Sequence, residues 1–159
     1  MANFKLQNEL KKAIPYLGNW QMQNDEYDKR SNFIYTTTEF NEVLNNSEKH
    51  NIPRNYAFHR WYNFHTSLET ERIFINHGCT KENNSKHKEI DLYFKTTPYD
   101  VKLTVFPKRF TEEVDLKKRD GKDCLIKWYY KNQSQQGRKH LANRLFVVCK
   151  SIEHHNNPV

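Results

Sequence analysis

Glycine is scarce in this chain, with four in 159 residues. No G-x-G-x-x-G or Walker pattern is present, which excludes the glycine-built phosphate loops of dinucleotide and P-loop proteins. There is no internal repeat, no low-complexity tract and no linker rich in Pro, Gly or Ser. The three cysteines, Cys79, Cys124 and Cys149, are odd in number and widely spaced, so they supply no disulfide framework and are expected to be reduced. His77, Cys79, His87 and Cys124 have zinc-ligand chemistry but match no common zinc spacing. No Cys–His or Ser–His nucleophile signature is present either. No apolar run approaches the ~20 residues of a membrane span. The opening segment MANFKLQNELKK is polar, without a signal-peptide core. These absences lead us to expect a soluble, cytoplasmic protein with no membrane partner.

What the chain does have is aromatic residues and positive charge. Hydrophobic residues are only 36% of the total, yet ten Phe, nine Tyr and three Trp bury enough area each to build a modest core. The length suits one ordered domain. A net charge of +7 points to a polyanion, of which nucleic acid is the commonest, although solubility alone explains many basic surfaces.

Periodicity predicts a short helix over residues 2–13, with Phe4, Leu10 and Ala13 inward and Pro15 and Gly18 as stops. Phe33-Ile34-Tyr35 suggests an extended piece. Thr36 with Glu39 reads as a capping box for a helix burying Phe40, Val43 and Leu44. Residues 45–53 read as a loop. A long helix is expected over residues 56–76, with Phe58, Trp61, Phe64, Leu68 and Ile75 on its apolar stripe and Gly78 as its stop. Glu71 falls on that stripe and Glu69 at its border. The aromatics Phe58, Trp61, Tyr62 and Phe64 have base-stacking chemistry, but their helical spacing favours a core role.

Beyond Gly78, CTKEN has room for a short strand. Residues 89–94 (EIDLYF) and 99–106 (YDVKLTVF) alternate as a β-hairpin around the turn KTTP, with Pro107 closing the second strand. Asp120-Gly121 is a turn signal, and Asp123 is a candidate cap for a helix ending near Gly137. RLFVVC (144–149) reads as a buried strand, and residues 151–159 as a flexible tail.

The hairpin carries the chemistry. Residues i and i+2 of a strand share a face, so Asp100 and Lys102 project side by side, and Asp91 reaches the same end from the neighbouring strand. Adjacent carboxylates repel, and a divalent cation resolves that repulsion. A metal-activated water beside an ammonium suits phosphodiester hydrolysis. An isolated Asp-x-Lys is more often an exposed face with a cross-strand salt bridge. Here the pair follows a second Asp at close range and a helix bearing an in-line Glu.

In Asp91 and the run Pro98-Tyr99-Asp100-Val101-Lys102, the chain resembles the PD-(D/E)xK phosphodiesterase superfamily, which includes restriction-endonuclease-like nucleases and archaeal Holliday junction resolvases. Ile90 stands where the family signature has Pro. The resemblance implies an α/β (α+β) fold with a restriction-endonuclease-like αβββαβ core, a central mixed sheet flanked by helices and an N-terminal helical extension. It implies that Asp91 and Asp100 bind Mg²⁺ (or Mn²⁺) with the Val101 carbonyl, that Lys102 positions the attacking water, and that Glu71 or Glu69 joins the metal site. On this reading, residues 1–54 are the helical extension packed on the core, 55–150 the nuclease core and 151–159 the tail. DNA is the expected partner, RNA remains open, and a homodimer is expected by analogy.

A second polar cluster, Gln133 to Arg138 with Lys139, His140, Asn143 and Arg144, sits where the last core helix turns into the final strand. Some superfamily members place a Gln or basic residue from this helix near the site, so Gln133, Arg138, Lys139, His140 and Arg144 are candidate nucleic-acid contacts. The plainer explanation is a polar helix end with cations favoured by the dipole. Two alternative functions stand beside the nuclease. One is a non-catalytic nucleic-acid-binding domain on the same fold, and the other is a basic protein-interaction module.

Overall fold

The computed structural model describes residues 4–19, 23–84, 87, 89–133 and 143–158. They gather into two compact units, Met1–Thr70 with Glu153–Val159, and Glu71–Ile152. The division falls inside a long helix, whereas the sequence reading drew its line at residue 54. No helix among the described residues is long and apolar enough to cross a membrane.

The first unit is helical. Helix α1 (Phe4–Leu17) buries Leu6, Leu10, Ala13 and Leu17 at spacings of four, three and four. Phe4, expected inside, is 73% exposed because this stripe begins at Leu6. The helix also continues through Pro15. In the last turn a proline forfeits one backbone bond, and burial of Leu17 extends the stripe past it. Gly18, with φ +59°, then supplies the left-handed stop.

Helix α2 (Asp25–Arg30) is capped by the Asn24 side chain, which accepts from the Glu26 and Tyr27 amides. Residues Asn32–Tyr35, expected to be extended, form a 3₁₀ turn that buries Ile34. Helix α3 (Phe40–Lys49) starts later than the Thr36 capping box requires, and its Glu39 makes no capping bond. A distant residue supplies the cap: Glu9 Oε2 accepts from the Phe40 amide at 2.8 Å. The helix also takes up most of the expected 45–53 loop.

Helix α4 (Arg54–Asn76) follows Pro53 and ends at Gly78, whose φ is +101°. Its buried face is wider than the expected stripe. Tyr62, His65 and Thr66 join Phe58 and Trp61 inside, while Leu68 is 37% exposed. The Thr37 carbonyl explains part of this, accepting from Trp61 Nε1 at 2.7 Å and lying 2.8 Å from His65 Nε2. Polar positions are buried where a partner satisfies them. The expected tail instead forms a short helix, α6 (Ile152–His155), and the His155 carbonyl accepts from the Tyr62 hydroxyl at 3.3 Å.

The second unit is built on a four-stranded mixed sheet in the order β1-β2-β3-β4. Strands β1 (Cys79–Lys81), β2 (Leu92–Phe94) and β3 (Thr97–Val105) run antiparallel in sequence. Strand β4 (Arg144–Cys149) pairs parallel with β3, from Asp100↔Arg144 to Val105↔Cys149. The hairpin turn is only Lys95-Thr96, and Lys95 takes φ +56°. Pro98, expected in the turn, lies in β3 opposite Tyr93.

Between β3 and β4 lies helix α5 (Arg119–Gln133). Asp120 and Gly121, expected as a turn ahead of an Asp123 cap, sit in its first turn. A Cβ at Gly121 would come 2.2 Å from the Asp115 carbonyl oxygen, so this glycine serves a close approach and not a turn. Tyr129 seats the helix on the sheet. Its ring stacks on Phe146 at 4.8 Å and its hydroxyl donates to the Val105 carbonyl at 2.9 Å. The architecture is therefore mixed α/β, with a four-stranded mixed sheet and six α-helices among the described residues.

Candidate functional site

The β2–β3 register pairs Leu92 with Tyr99, and one step further sets Asp91 across from Asp100. Asp91 was expected inside a strand but occupies a bend just before β2. Its backbone stays tied to the sheet, donating to the Tyr99 carbonyl at 2.8 Å. Its carboxylate turns onto the neighbouring strand, where Oδ2 accepts from the Val101 amide at 2.8 Å. The side chain thus takes a ladder bond that a further β2 residue would have made, leaving no buried amide unsatisfied.

Asp100 is 7% exposed at the centre of β3. Its amide donates to the Asn143 carbonyl at 3.0 Å, and the Asn143 side-chain amide donates to the Glu89 carbonyl at 2.8 Å. One bridging residue therefore ties the start of β4 to the chain entering β2. Lys102 shares the face of Asp100, and its Nζ lies 2.5 Å from Oδ1. On the other side, Arg144 Nε lies 3.5 Å from Oδ2 with its side chain 9% exposed. The sequence reading treated Arg144 as a nucleic-acid contact. The parallel register places it opposite Asp100 instead, as a buried counter-charge.

Glu71 completes the group from the end of α4. Burial pushes its carboxyl up to about 6, and the nearby Asp91 charge adds to the shift. Lys81 and Lys102 oppose the rise, and Asp100 adds a smaller push upward. Asp91 is also raised, first by burial and then by the charge of Asp100, while the Val101 amide and Lys102 pull it down. These mutual effects put the three carboxylates in one electrostatic field. Glu69, the other candidate, belongs to the first unit, where it acts on His65.

The donor set consists of hard carboxylate oxygens, partly withdrawn from water and repelling one another, which is the chemistry a hard divalent cation satisfies. Mg²⁺ takes one or two carboxylates and keeps several waters, so the Asp91–Asp100 pair suits it. As placed, however, no group of three His, Cys, Asp or Glu side chains among the described residues is set to hold a metal ion.

Of the second cluster, Gln133 is the last residue of α5, and Arg138, Lys139 and His140 lie outside the described residues. Sequence reasoning missed Lys81, and it named Asn143 only as a member of the second polar cluster. Lys81 acts on Glu71 through tertiary placement alone, from β1 in the register Lys81↔Leu92. Asn143 acts through its backbone carbonyl and its side-chain amide together, a double role that follows from the pairing of β4 with β3. Compared with protein-family models, curated proteins and solved structures, the chain matches none.

Proposed function

We propose that the chain is a Mg²⁺-dependent nuclease, with Mn²⁺ able to substitute, that hydrolyses DNA phosphodiester bonds at the Glu71–Asp91–Asp100–Lys102 group. The observation that carries this reading is the gathering of three carboxylates in one field, with the Lys102 ammonium 2.5 Å from Asp100. Asp91 and Asp100 would hold the ion, helped by the Val101 carbonyl, with Glu71 joining from α4. Bound there, the ion would polarise a phosphoryl oxygen and lower the pKa of a water.

The chain's own groups supply the rest. Lys102, steadied by Asp100, donates hydrogen bonds to the attacking water or to a non-bridging phosphate oxygen. Arg144 offsets the buried charge of Asp100 from the opposite side. The surplus of basic residues draws the polyanion in. The element order α4-β1-β2-β3-α5-β4 is the one a restriction-endonuclease-like core requires, which supports that finer fold reading. A cytoplasmic location and a homodimer belong to the same proposal.

One observation favours a second reading. Asp100 is already engaged by two cations, and three metal-ligand side chains do not stand ready together among the described residues. A non-catalytic nucleic-acid-binding domain would look like this.

The test is cleavage of supercoiled plasmid, single-stranded and branched DNA, and RNA, with Mg²⁺, Mn²⁺ or EDTA. Lys102→Ala is the better inactive control, because its side chain is 42% exposed against 11% for Asp100 and its loss disturbs the fold less. Metal-dependent cleavage abolished by Lys102→Ala is expected. DNA binding that ignores EDTA and Asp100→Ala, without cleavage, would move the assignment to the binding domain.

A further inference from the structure

The first unit holds a cavity of about 400 Å³ that the nuclease reading does not use, within the roughly 300–1,000 Å³ usual for small-molecule sites. One wall is the face of α4 that carries Arg60, Asn63, Phe64 and Ser67, residues three, four and seven apart and so stacked along one side of the helix. The facing wall is the 3₁₀ turn, through Ile34 and Tyr35.

The chemistry of the lining narrows the ligand. Tyr35 and Phe64 meet edge to face, centroids 5.0 Å apart and 77° between planes, forming an aromatic corner. Such a corner receives a flat ring, which stacks on one side chain and meets the other edge-on. Arg60 offers no charge to an anion. Its guanidinium is committed to Asp28 at 3.1 Å, to the Asp28 carbonyl at 3.0 Å, to the Tyr35 hydroxyl at 2.9 Å and to Ser31. Asp28 is likewise held, accepting from Tyr56 at 2.6 Å and Gln23 at 2.9 Å. His59, also in the lining, is pushed by burial toward its neutral form. The pocket thus presents no uncompensated charge.

Two polar side chains are not absorbed by this network. Among the described residues, the carboxamide of Asn63 and the hydroxyl of Ser67 take no hydrogen-bond partner. Only the backbone carbonyl of Asn63 is used, by Thr66. Both residues are half-buried, one helical turn apart, and both line the cavity. A purely apolar ligand would leave these groups buried and unsatisfied, at a cost. A carboxamide sets a donor beside an acceptor, the pattern that matches adenine in bidentate fashion, and a neighbouring hydroxyl adapts to either role.

We propose that this cavity is a binding site for a neutral heteroaromatic base, adenine by preference, read by Asn63 and Ser67 and enclosed by Tyr35 and Phe64. Of the aromatics grouped on α4, Phe58, Trp61 and Tyr62 are fully buried, and Phe64 is the one that reaches the cavity. The base comes either from a free nucleoside or from a single strand that presents it unstacked. The site stands whether or not the carboxylate group is a nuclease.

Calorimetric titration of the full chain in EDTA tests this, with adenosine, purine riboside, uridine and a short oligodeoxyadenylate as probes. Adenosine or the oligonucleotide should bind saturably. Purine riboside, which lacks the exocyclic amine, and uridine should bind more weakly than adenosine. Asn63→Ala should lose about tenfold or more in affinity with its melting temperature unchanged, and Asn63→Asp is the isosteric second variant should the first not fold. Lys102→Ala should bind adenosine, which carries no phosphate, as the parent does, and this separates the site from the outcome of the cleavage assay. Binding of the oligonucleotide alone would identify a strand as the source of the base, and binding of adenosine alone a free nucleoside. Absence of saturable binding by every probe at millimolar concentration, or binding that Asn63→Ala and Asn63→Asp leave untouched, would overturn the proposal.

Discussion

Glu71 sits in the last turns of α4 with its carboxyl pushed up to about 6 by burial and by Asp91, from an ordinary 4.5. Between these two values the folded chain holds a proton that the unfolded chain has released. The contribution of Glu71 to stability is therefore greatest below 4.5 and is lost as pH rises through about 6. Glu71→Gln removes this dependence. It should stabilise the fold near neutral pH by an amount on the order of 1 kcal/mol after solvent screening, read as a higher melting temperature, and change little at about pH 4. On the proposed reading, metal and proton compete for the same oxygens, so Mg²⁺ should protect the wild type against heat more at neutral pH than below pH 6. A melting temperature of Glu71→Gln that tracks the parent at every pH would show that neither burial nor Asp91 raises the carboxyl. Asp100 makes the opposite case. It is the counter-charge of Arg144 and Lys102, so Asp100→Ala strands a buried guanidinium. It should cost about 3–5 kcal/mol in denaturant unfolding, and Lys102→Ala distinctly less.

At the scale of elements, α5 begins where it does because of one missing methyl group. Gly121 is buried, with the Asp115 carbonyl oxygen 2.2 Å from where its Cβ would stand. Gly121→Ala improves intrinsic helix propensity, yet it should destabilise by about 1–3 kcal/mol because backbone has to move. The midpoint of urea unfolding decides between the two effects, and a gain in stability would mean that the 106–118 connection yields easily. Strand β3 is the other decisive element. It is the one strand among those described that pairs antiparallel on one edge, with β2, and parallel on the other, with β4. That double pairing brings Asp91 from one side and Arg144 from the other to the same residue, Asp100.

Across the whole molecule, apolar burial is uneven. The main buried cluster runs from Leu6 to Tyr62 and lies within the first unit. In the second unit the buried hydrophobics among the described residues are Leu92, Val101, Leu125 and Tyr129. Local opening is rarest where burial is densest. Amide hydrogen exchange should accordingly be slowest in α4 between Tyr56 and Tyr62, and faster in β2, β3 and β4. Equal protection in both stretches would mean that the sheet draws its stability from something other than apolar burial.

The sequence by itself determined the features whose cause is local. The central strand, the β4 run and the long fourth helix were legible because strand alternation, helical periodicity and a glycine stop act over a few residues, whereas the polar stretch after Gly78 showed only room for β1. The same holds for the shared face of Asp100 and Lys102, since a period of two settles it. Where one position was asked to report on a distant one, the sequence misled. Thr36 and Glu39 resemble a cap, but Glu9, thirty-one residues before Phe40, supplies it. Asp120-Gly121 resembles a turn, but the glycine answers to the close approach of Asp115. Arg144 was grouped with the polar cluster after α5, and β3–β4 pairing sets its side chain beside Asp100. Glu71 came into the field of the two aspartates through the same tertiary arrangement, and the Asn63 cavity through the packing of a 3₁₀ turn that local pattern had read as extended. Strand register and helix packing act between residues far apart in the chain, and a reading of neighbours has no access to them.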